Sequence, residues 1–281
     1  MNFLLCPNTD NKNNISAAKA VAAHFHSLGI TCSSDLFYEK LFCDQSYVAI
    51  CDKNHIECDM IVAVGGDGTM LQSAQTAISL DKPIFGINSG RLGFLASFDF
   101  DMLEMITIEE IQKMTKSQRV LLDISLESKP EHHYLAINEV VASKVNYAKT
   151  AEISVCYGSN QLGCIRCDGV IVATPTGATG YSLSAGGPIV EPKLKAVVVT
   201  PICSHSLFSK SYVLADTETI SIKPAERIKN EVYISIDGNS IGKIDSKDSV
   251  FAKISDKTLT LMTSQKHNFY DVLYKEISER R

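Results

Sequence analysis

A chain of 281 residues, 45% of them apolar and 21% charged, is long enough for one large or two modest globular domains. Its formal net charge of −5 and the lack of a dense Lys/Arg patch argue against a nucleic-acid-binding surface. No apolar run approaches the roughly 20 residues of a membrane span, and Phe3-Leu4-Leu5-Cys6 is too short for an export signal, so no membrane and a cytoplasmic location are expected.

Phe3–Cys6 reads as the first strand. Asn14 or Ser16 can cap a helix through Ala17, Val21, Ala22 and Phe25, which Gly29 ends. Ile30–Cys32 is a short second strand, and Leu36–Tyr47 shows no clear period. Ile61–Val64 runs into Gly65-Gly66-Asp67-Gly68-Thr69, behind which Met70, Leu71, Ala74, Ala77 and Ile78 mark a helix. Pro83–Asn88 is a further strand, followed by the glycine-containing turn Ser89–Leu95. This βαβ rhythm predicts a largely parallel, Rossmann-like sheet with helices on both faces. Ligands of such sheets gather beyond the carboxyl ends of the strands, where both glycine-rich turns sit.

Asp101–Lys116 reads as a connecting helix, and beyond it the period changes to two: Val120, Leu122, Ile124 and Leu126 alternate with Leu121, Asp123, Ser125 and Glu127. Further strand candidates are Tyr134–Val141, Glu152–Tyr157, Gly163–Ala173, Ala196–Thr200, Glu218–Ile222, Glu231–Ile236, Ser249–Ile254 and Leu259–Met262. So many short strands predict an antiparallel sandwich or layered β-domain. Phe269, Val272, Leu273 and Ile277 fit one face of a final helix. The expected organisation is an α/β domain over residues 1–100, an all-β domain over 101–262, and a C-terminal helix within 263–281 packing back on the first domain. The two halves are expected to pack together with a cleft between them.

The glycine loop carries the sharpest chemistry. Three glycines let a phosphate approach the backbone N–H groups, and the helix behind them points its positive end at the same place. One acid, Asp67, sits among these phosphate-binding elements, awkward unless it takes a proton or holds a metal. A phosphoryl-transfer loop follows, although Asp is also a common helix N-cap. Neither a Gly-x-x-x-x-Gly-Lys-Ser/Thr loop nor a Gly-x-Gly-x-x-Gly fingerprint is present.

The nine cysteines are odd in number and scattered, which reads as reduced thiols with several buried. The one CxxC, Cys164-Ile165-Arg166-Cys167, has no second ligand pair, and on a strand its thiols point to opposite faces. His132-His133 reads as solvated loop. No metal-ligating set of protein residues is assigned.

A second constellation begins at Asp168. An apolar strand through Ala173 leads into Thr174-Pro175-Thr176-Gly177-Ala178-Thr179-Gly180-Tyr181-Ser182, and a Gly186-Gly187-Pro188 turn closes the stretch. Small residues admit a flat ligand, the hydroxyls of Thr176, Thr179 and Ser182 supply polar contacts without bulk, and Tyr181 offers a ring for stacking.

Gly65–Thr69, Asn88–Leu95, Asn138-Glu139-Val140-Val141, Asp168–Val190 and Thr200-Pro201-Ile202-Cys203 together resemble the NAD kinases in order and spacing. The glycine loop alone is shared with diacylglycerol and sphingosine kinases and, more loosely, with phosphofructokinases; the later blocks narrow the resemblance to bacterial-type NAD kinases, which use ATP or polyphosphate. It implies a phosphofructokinase-like α/β domain, an all-β domain, and transfer of the ATP γ-phosphoryl group to the adenosine-ribose 2′-hydroxyl of NAD. Asp67 would then accept the hydroxyl proton, and Gly65, Gly66, Gly68 and Thr69 would cradle phosphates. Asn138 would hold the adenine, Glu139 the ribose hydroxyls, and Phe94 with Leu95 would wall the adenine pocket. Thr176, Thr179, Gly180, Tyr181 and Ser182 complete the NAD site. Arg166 and Asp168 align near the nicotinamide end, where the family often draws on a neighbouring subunit, so a homodimer or homotetramer with a shared active site is implied. Mg2+ would accompany ATP. Asp237-Gly238 also matches a family position, but it equally reads as a hairpin turn.

The chain departs from the family loop, Thr/Ser-Gly-Ser/Thr-Thr-Ala-Tyr, at Ala178 and Gly180. A looser fit around NAD is expected. Two other readings share features of the sequence. A lipid kinase would share the glycine loop but want an apolar acceptor channel in place of Asn138 and Glu139. A nucleotide-binding regulator would sense NAD or NADP without turnover and have no need of Asp67.

Overall fold

A computed structural model describes residues 1–10, 12–52, 57–90, 93–146, 148–206, 210–226, 231–264 and 269–279. Arg91 and Leu92 of the second glycine-containing turn, and the side chain of Ile277, lie outside this description. The chain divides into two compact units, residues 1–118 with 259–281, and residues 119–258.

In the first unit the elements run β1 (Asn2–Pro7), α1 (Lys12–Ser27), β2 (Thr31–Asp35), α2 (Glu39–Phe42), β3 (Val48–Cys51), β4 (Met60–Val64), α3 (Asp67–Leu80), β5 (Ile84–Asn88), β6 (Phe98–Asp99) and α4 (Ile108–Gln112). The strands pair in parallel in the order β3-β2-β1-β4-β5, with β6 also on β5. The central strands β1, β4 and β5 are buried along almost their whole length, as the middle of a parallel sheet requires, while β2 buries Ser33 and Ser34 by donating their hydroxyls to the Phe3 and Leu5 carbonyls. Phe3 and Leu5 of β1 and Phe85 and Ile87 of β5 meet Val21 and Phe25 of α1 in one core. The Phe3 ring sits edge-on to Phe25 at 5.2 Å and to Phe85 at 5.8 Å, an arrangement aromatic quadrupoles favour. Gly29, at φ +73°, ends α1.

The expected connecting helix over Asp101–Lys116 is instead two short pieces. A 3-10 turn spans Phe100–Met105, and the Thr107 hydroxyl then caps α4 by accepting the Glu110 N–H at 3.2 Å. A Thr that takes up a free amide starts a new helix rather than continuing an old one. The stretch without a clear period, Leu36–Tyr47, holds a 3-10 turn over Leu36–Tyr38, capped by the Asp35 carboxylate, and then α2.

The strands that continue the chain are β7 (Thr115–Leu126), β8 (Lys129–Ala136), β9 (Glu139–Lys144), β10 (Ala151–Tyr157), β11 (Asn160–Cys167), β12 (Gly169–Ala173), β13 (Ala196–Ile202), β14 (Tyr212–Ala215), β15 (Ile220–Pro224), β16 (Val232–Ile236), β17 (Asn239–Ile244) and β18 (Val250–Thr263). The boundaries between the units fall inside β7 and β18. In the second unit β14-β13-β12-β9-β16-β17 form an antiparallel sheet, and β11, β10, β15 and β18 pair antiparallel in another. Alternate residues of both, among them Ala142, Val170, Val172, Val199, Ile153, Ile222 and Val250, share one core.

Four expected strands change here. Tyr134–Val141 breaks at Ile137-Asn138 into β8 and β9, and Gly163–Ala173 breaks at Asp168 into β11 and β12, which belong to different sheets. Ser249–Ile254 and Leu259–Met262 merge into β18. The breaks sit at single polar positions, Asn138 and Asp168, which an alternating pattern reads as one more outward-facing residue of a continuing strand. His132 and His133 are exposed on β8 rather than in a loop, with the His133 Nδ1 at 2.6 Å from the Asp123 carboxylate.

β12 and β13 are buried along their whole length. The second face of this sheet, Val141, Ile171, Val198 and Ile202, is covered by Ala178 and Val190 of the small-residue stretch. Ala178 therefore belongs to the core, fully buried on this face of the sheet.

Candidate active site

In the first unit the loop after β4 leads straight into α3, which begins at Asp67. α3 is 14 residues long and Gly66 is its N-cap without a side-chain bond, so the orphan N–H groups of the first turn are left to a ligand or water. The Asp67 carboxylate accepts the N–H of Phe94 at 3.1 Å and of Leu95 at 3.3 Å. Gly93 makes this possible, since a Cβ there would occupy the space of the carboxylate itself. Burial pushes the Asp67 carboxyl up, the two N–H bonds oppose it, and the charge of Glu276 adds to the rise. A raised carboxyl is a stronger base, the property a proton acceptor needs. The Phe94 ring lies 6.0 Å from Phe269 at the start of α5 (Phe269–Glu279), which identifies it as partly a packing residue.

Thr69 is buried and its hydroxyl accepts from the Asn8 side-chain amide at 3.3 Å. Asn8 itself donates its backbone N–H to Val64. The sheet order β3-β2-β1-β4-β5 reverses between β1 and β4, so this contact lies at the topological switch point where doubly wound sheets bind ligands. Asn8 carried no motif of its own in the sequence.

In the second unit, residues 137–139 are gripped from two sides. The Asp237 carboxylate accepts the N–H groups of Ile137 (2.8 Å), Asn138 (2.8 Å) and Glu139 (3.0 Å). Thr174 donates its N–H to the Asn138 carbonyl at 2.8 Å and its hydroxyl to the Ile137 carbonyl at 2.6 Å. The Thr174 hydroxyl also takes the Gly177 N–H at 3.0 Å. Gly177 packs so closely on Asn138 that any Cβ would strike the Asn138 carbonyl. Neither clamp residue was among the expected site residues: Asp237-Gly238 matches a family position but equally reads as a hairpin turn, and Thr174 reads as the end of a strand.

The product of this grip is a pair of groups that the protein itself does not satisfy. Glu139 is 8% exposed, and its Oε2 has no hydrogen-bond partner; the same holds for the hydroxyl of buried Thr176. A buried carboxylate oxygen without a donor is costly unless a ligand supplies one. Gly180 faces Glu139 and Asn138, because a Cβ built on it would lie 3.5 Å from Glu139 Oε2 and 3.6 Å from the Asn138 amide nitrogen. Burial, with the Asp237 charge adding, pushes the Glu139 carboxyl up to about 7.

That shift has a defined sign. The folded state holds the Glu139 proton more tightly than the unfolded chain, whose ordinary value is 4.5. The stabilisation is complete below about 4.5 and lost as pH rises toward about 7. Glu139→Gln is therefore expected to raise stability at pH 8 by as much as about 3 kcal/mol, and not at pH 4. Urea unfolding midpoints at the two pH values check this.

The remaining expected residues separate by role. Ser182 is fully buried and pairs with the Thr200 hydroxyl at 2.9 Å, so it holds the loop. The Thr179 hydroxyl donates to the Thr176 carbonyl at 3.1 Å, while Tyr181 is 46% exposed. Asp168 takes Lys144 as its partner at 2.6 Å, not Arg166, which is exposed on β11. Cys164 is exposed and Cys167 buried, on opposite faces as a strand dictates, and none of the nine cysteines is in a disulfide.

The ATP-NAD kinase N-terminal domain model matches residues 8–113, and the ATP-NAD kinase C-terminal domain model matches residues 137–263. An NAD kinase of Lachnoclostridium phytofermentans is 30% identical over 288 residues, 99% of each chain. The chain belongs to the NAD kinase family. An NAD kinase of a Thermoanaerobacter species is 34% identical over 226 residues, 79% of each chain. Among solved structures, an NAD kinase from Archaeoglobus fulgidus in complex with ATP matches with a TM-score of 0.73 and 26% identity, covering 98% of each chain. Yeast NADH kinase complexed with NADH shares the fold, with a TM-score of 0.87 at 22% identity over 99% of this chain and 87% of that one. Relative to the NAD kinase loop, Gly180 opens space beside Asn138 and Glu139. Gly180→Ala adds a methyl at ordinary contact distance from both, with the Gly177 carbonyl 3.3 Å away as the tightest neighbour. The expected outcome is a lower KM for NAD, and an unchanged or higher KM would refute it.

Proposed function

We propose that the chain transfers the γ-phosphoryl group of ATP to the 2′-hydroxyl of the adenosine ribose of NAD, giving NADP and ADP. The observation that carries this reading is the buried Glu139 carboxylate, its Oε2 unpartnered beside the Asn138 amide. A carboxylate can accept from two vicinal hydroxyls, and an amide can both donate to and accept from adenine. The hydroxyl-rich, glycine-opened surroundings suit a polar nucleoside rather than an acyl chain.

A ribose hydroxyl is a poor nucleophile until its proton is removed. In this reading the bond from the 2′-oxygen to the γ-phosphorus forms while the bond to the β–γ bridging oxygen breaks. The proton passes to Asp67, and the leaving electron pair stays on ADP. The first-turn N–H groups of Gly68 and Thr69 and the end of the α3 dipole favour the anionic phosphates. Mg2+, bound to the triphosphate, would neutralise its oxygens. The loop's single carboxylate already accepts two N–H groups, which fits a cation carried by the nucleotide rather than by a protein ligand set. The same reading extends to polyphosphate as donor, to a cytoplasmic location, and to a homodimer or homotetramer in which Arg166 and Asp168 serve a neighbouring copy. No helix among the described residues is long and apolar enough to cross a membrane.

The test is formation of NADP and ADP in equal amounts by purified protein with NAD, ATP and Mg2+. Absence of NADP would overturn the reading, and NAD binding without ADP release would mark a regulator.

A further inference from the structure

The C-terminal helix α5 reaches the Asp67 carboxylate from a side that the reaction above leaves unused. Phe269, Val272 and Glu276 follow one another at spacings of three and four, which puts them on one face of the helix. Val272 is buried and Phe269 and Glu276 are half-buried, whereas the charged residues Asp271 and Lys275 are exposed. The Phe269 ring meets the Phe94 ring at 6.0 Å, and Phe94 donates its N–H to the Asp67 carboxylate at 3.1 Å. One packing contact thus ties the helix to the backbone that holds the base. Glu276 lies two turns beyond Phe269, about 10 Å along the axis. Helical side chains lean toward the N-terminus of their helix, so Glu276 reaches back toward that contact. Helix α5, the Gly93–Leu95 segment and α3 all belong to the first unit.

The groups around Asp67 are sparing in charge. Strand β4, Gly65, Gly66 and the rest of α3 carry no ionisable side chain. Residues 94 and 95 present backbone N–H groups. Glu276 is the acid whose charge acts on Asp67, and it acts in the same sense as burial. An acid so placed works against the binding of phosphates, yet it favours proton uptake by its neighbour. Two like charges repel, and a proton taken up by one of them relieves the repulsion.

We propose that Glu276 is a positioning residue of the phosphoryl transfer: held toward Asp67 by the Phe269–Phe94 contact, it repels the carboxylate charge and so draws the ribose hydroxyl proton onto Asp67. The inference rests on the kinase reading and adds no step to it, since the proton still passes from the 2′-oxygen to Asp67 and Glu276 stays ionised throughout. The competing account is that Glu276 serves only the packing of α5.

Three variants separate the accounts. Glu276→Gln removes the charge and keeps the shape, Glu276→Asp keeps the charge, and Asp271→Asn removes an equal charge from the exposed side of the same helix. In Glu276→Gln the acid limb of kcat/KM is expected to move to lower pH, because the carboxyl of Asp67 then ionises more readily. A weaker base also transfers the proton more slowly, so the plateau kcat should fall by about two- to tenfold. KM for NAD should stay fixed. Glu276→Asp should stay nearer the parent in both readouts, and Asp271→Asn should match it. An acid limb that stays in place in Glu276→Gln overturns the proposal, as packing alone would leave it there. An equal displacement in Asp271→Asn also overturns it, by tracing the effect to the net charge of the helix. If the parent makes no NADP, the kinase reading has failed instead, and the carboxyl NMR signal of Asp67, followed through pH and assigned by its loss in Asp67→Asn, still tests the coupling. Its midpoint must fall in Glu276→Gln and hold in Asp271→Asn, and a midpoint common to parent and Glu276→Gln overturns the proposal.

Discussion

Asp67→Asn is expected to reduce kcat by about 10²- to 10⁴-fold, the range general-base catalysis supplies, while NAD still binds. The argument starts from what the substitution spares. The Asn carbonyl oxygen can keep one of the two bonds from the Phe94 and Leu95 N–H groups, at 3.1 and 3.3 Å in the parent. The amide also removes a buried charge whose burial is the leading cause of the raised Asp67 carboxyl, which offsets the one N–H bond that is lost. What disappears is the lone pair that takes the 2′-hydroxyl proton. The parent should also lose kcat/KM on acidification at a pH above the ordinary Asp value of 3.8, because the carboxyl must be ionised to act. Steady-state rates across pH, with NAD binding measured in parallel, check both points. A variant within a few-fold of the parent would remove Asp67 from the chemistry.

The legibility of this site in the sequence was uneven, for physical reasons. The Gly65–Thr69 loop announced itself because an apolar strand, three glycines and a helical pattern leave few other structures. Asn138 and Glu139 were readable only through the family resemblance, since a polar pair inside an apolar run is otherwise an unremarkable strand end. Asp237 was invisible as a partner of theirs because it lies 98 residues from Glu139 and meets it across two adjacent antiparallel strands. Sequence periodicity reports which face a residue occupies, not which distant backbone its side chain will bind. Ala178, where the family loop carries a hydroxyl, is fully buried against the sheet, a placement that a glycine-rich stretch without periodicity does not signal. The breaks at Asn138 and Asp168 escaped for a related reason: one polar residue within a period-two pattern is compatible with a continuing strand, and periodicity does not report a change of sheet.

Asp237→Ala should cost both stability and acceptor binding. Three consecutive N–H groups, of Ile137, Asn138 and Glu139, would lose their acceptor at once. Each amide left without a partner in a buried place costs about 1–3 kcal/mol, so a loss of several kcal/mol is expected, reduced where water can enter. The start of β9 would then no longer aim the Asn138 and Glu139 side chains together, and KM for NAD should rise at least about tenfold, one misplaced charged hydrogen bond being worth 1.5–3 kcal/mol. Asp237→Asn is the finer probe. Asn tolerates the backbone of this position, φ +44°, and one carbonyl oxygen can still accept from the strand. The charge beside Glu139 is gone, however, and that charge is the second cause of the Glu139 carboxyl standing at about 7. If Asp237 acts on Glu139 as well as on the backbone, the pH midpoint for NAD binding must fall in Asp237→Asn. A role confined to folding would lower the unfolding midpoint and leave that pH unmoved. Titrating NAD affinity between pH 5 and 9 in parent and variant, beside urea unfolding of the same proteins, decides between the two. A parent-like KM in Asp237→Ala would show that the strand holds its aim without the clamp.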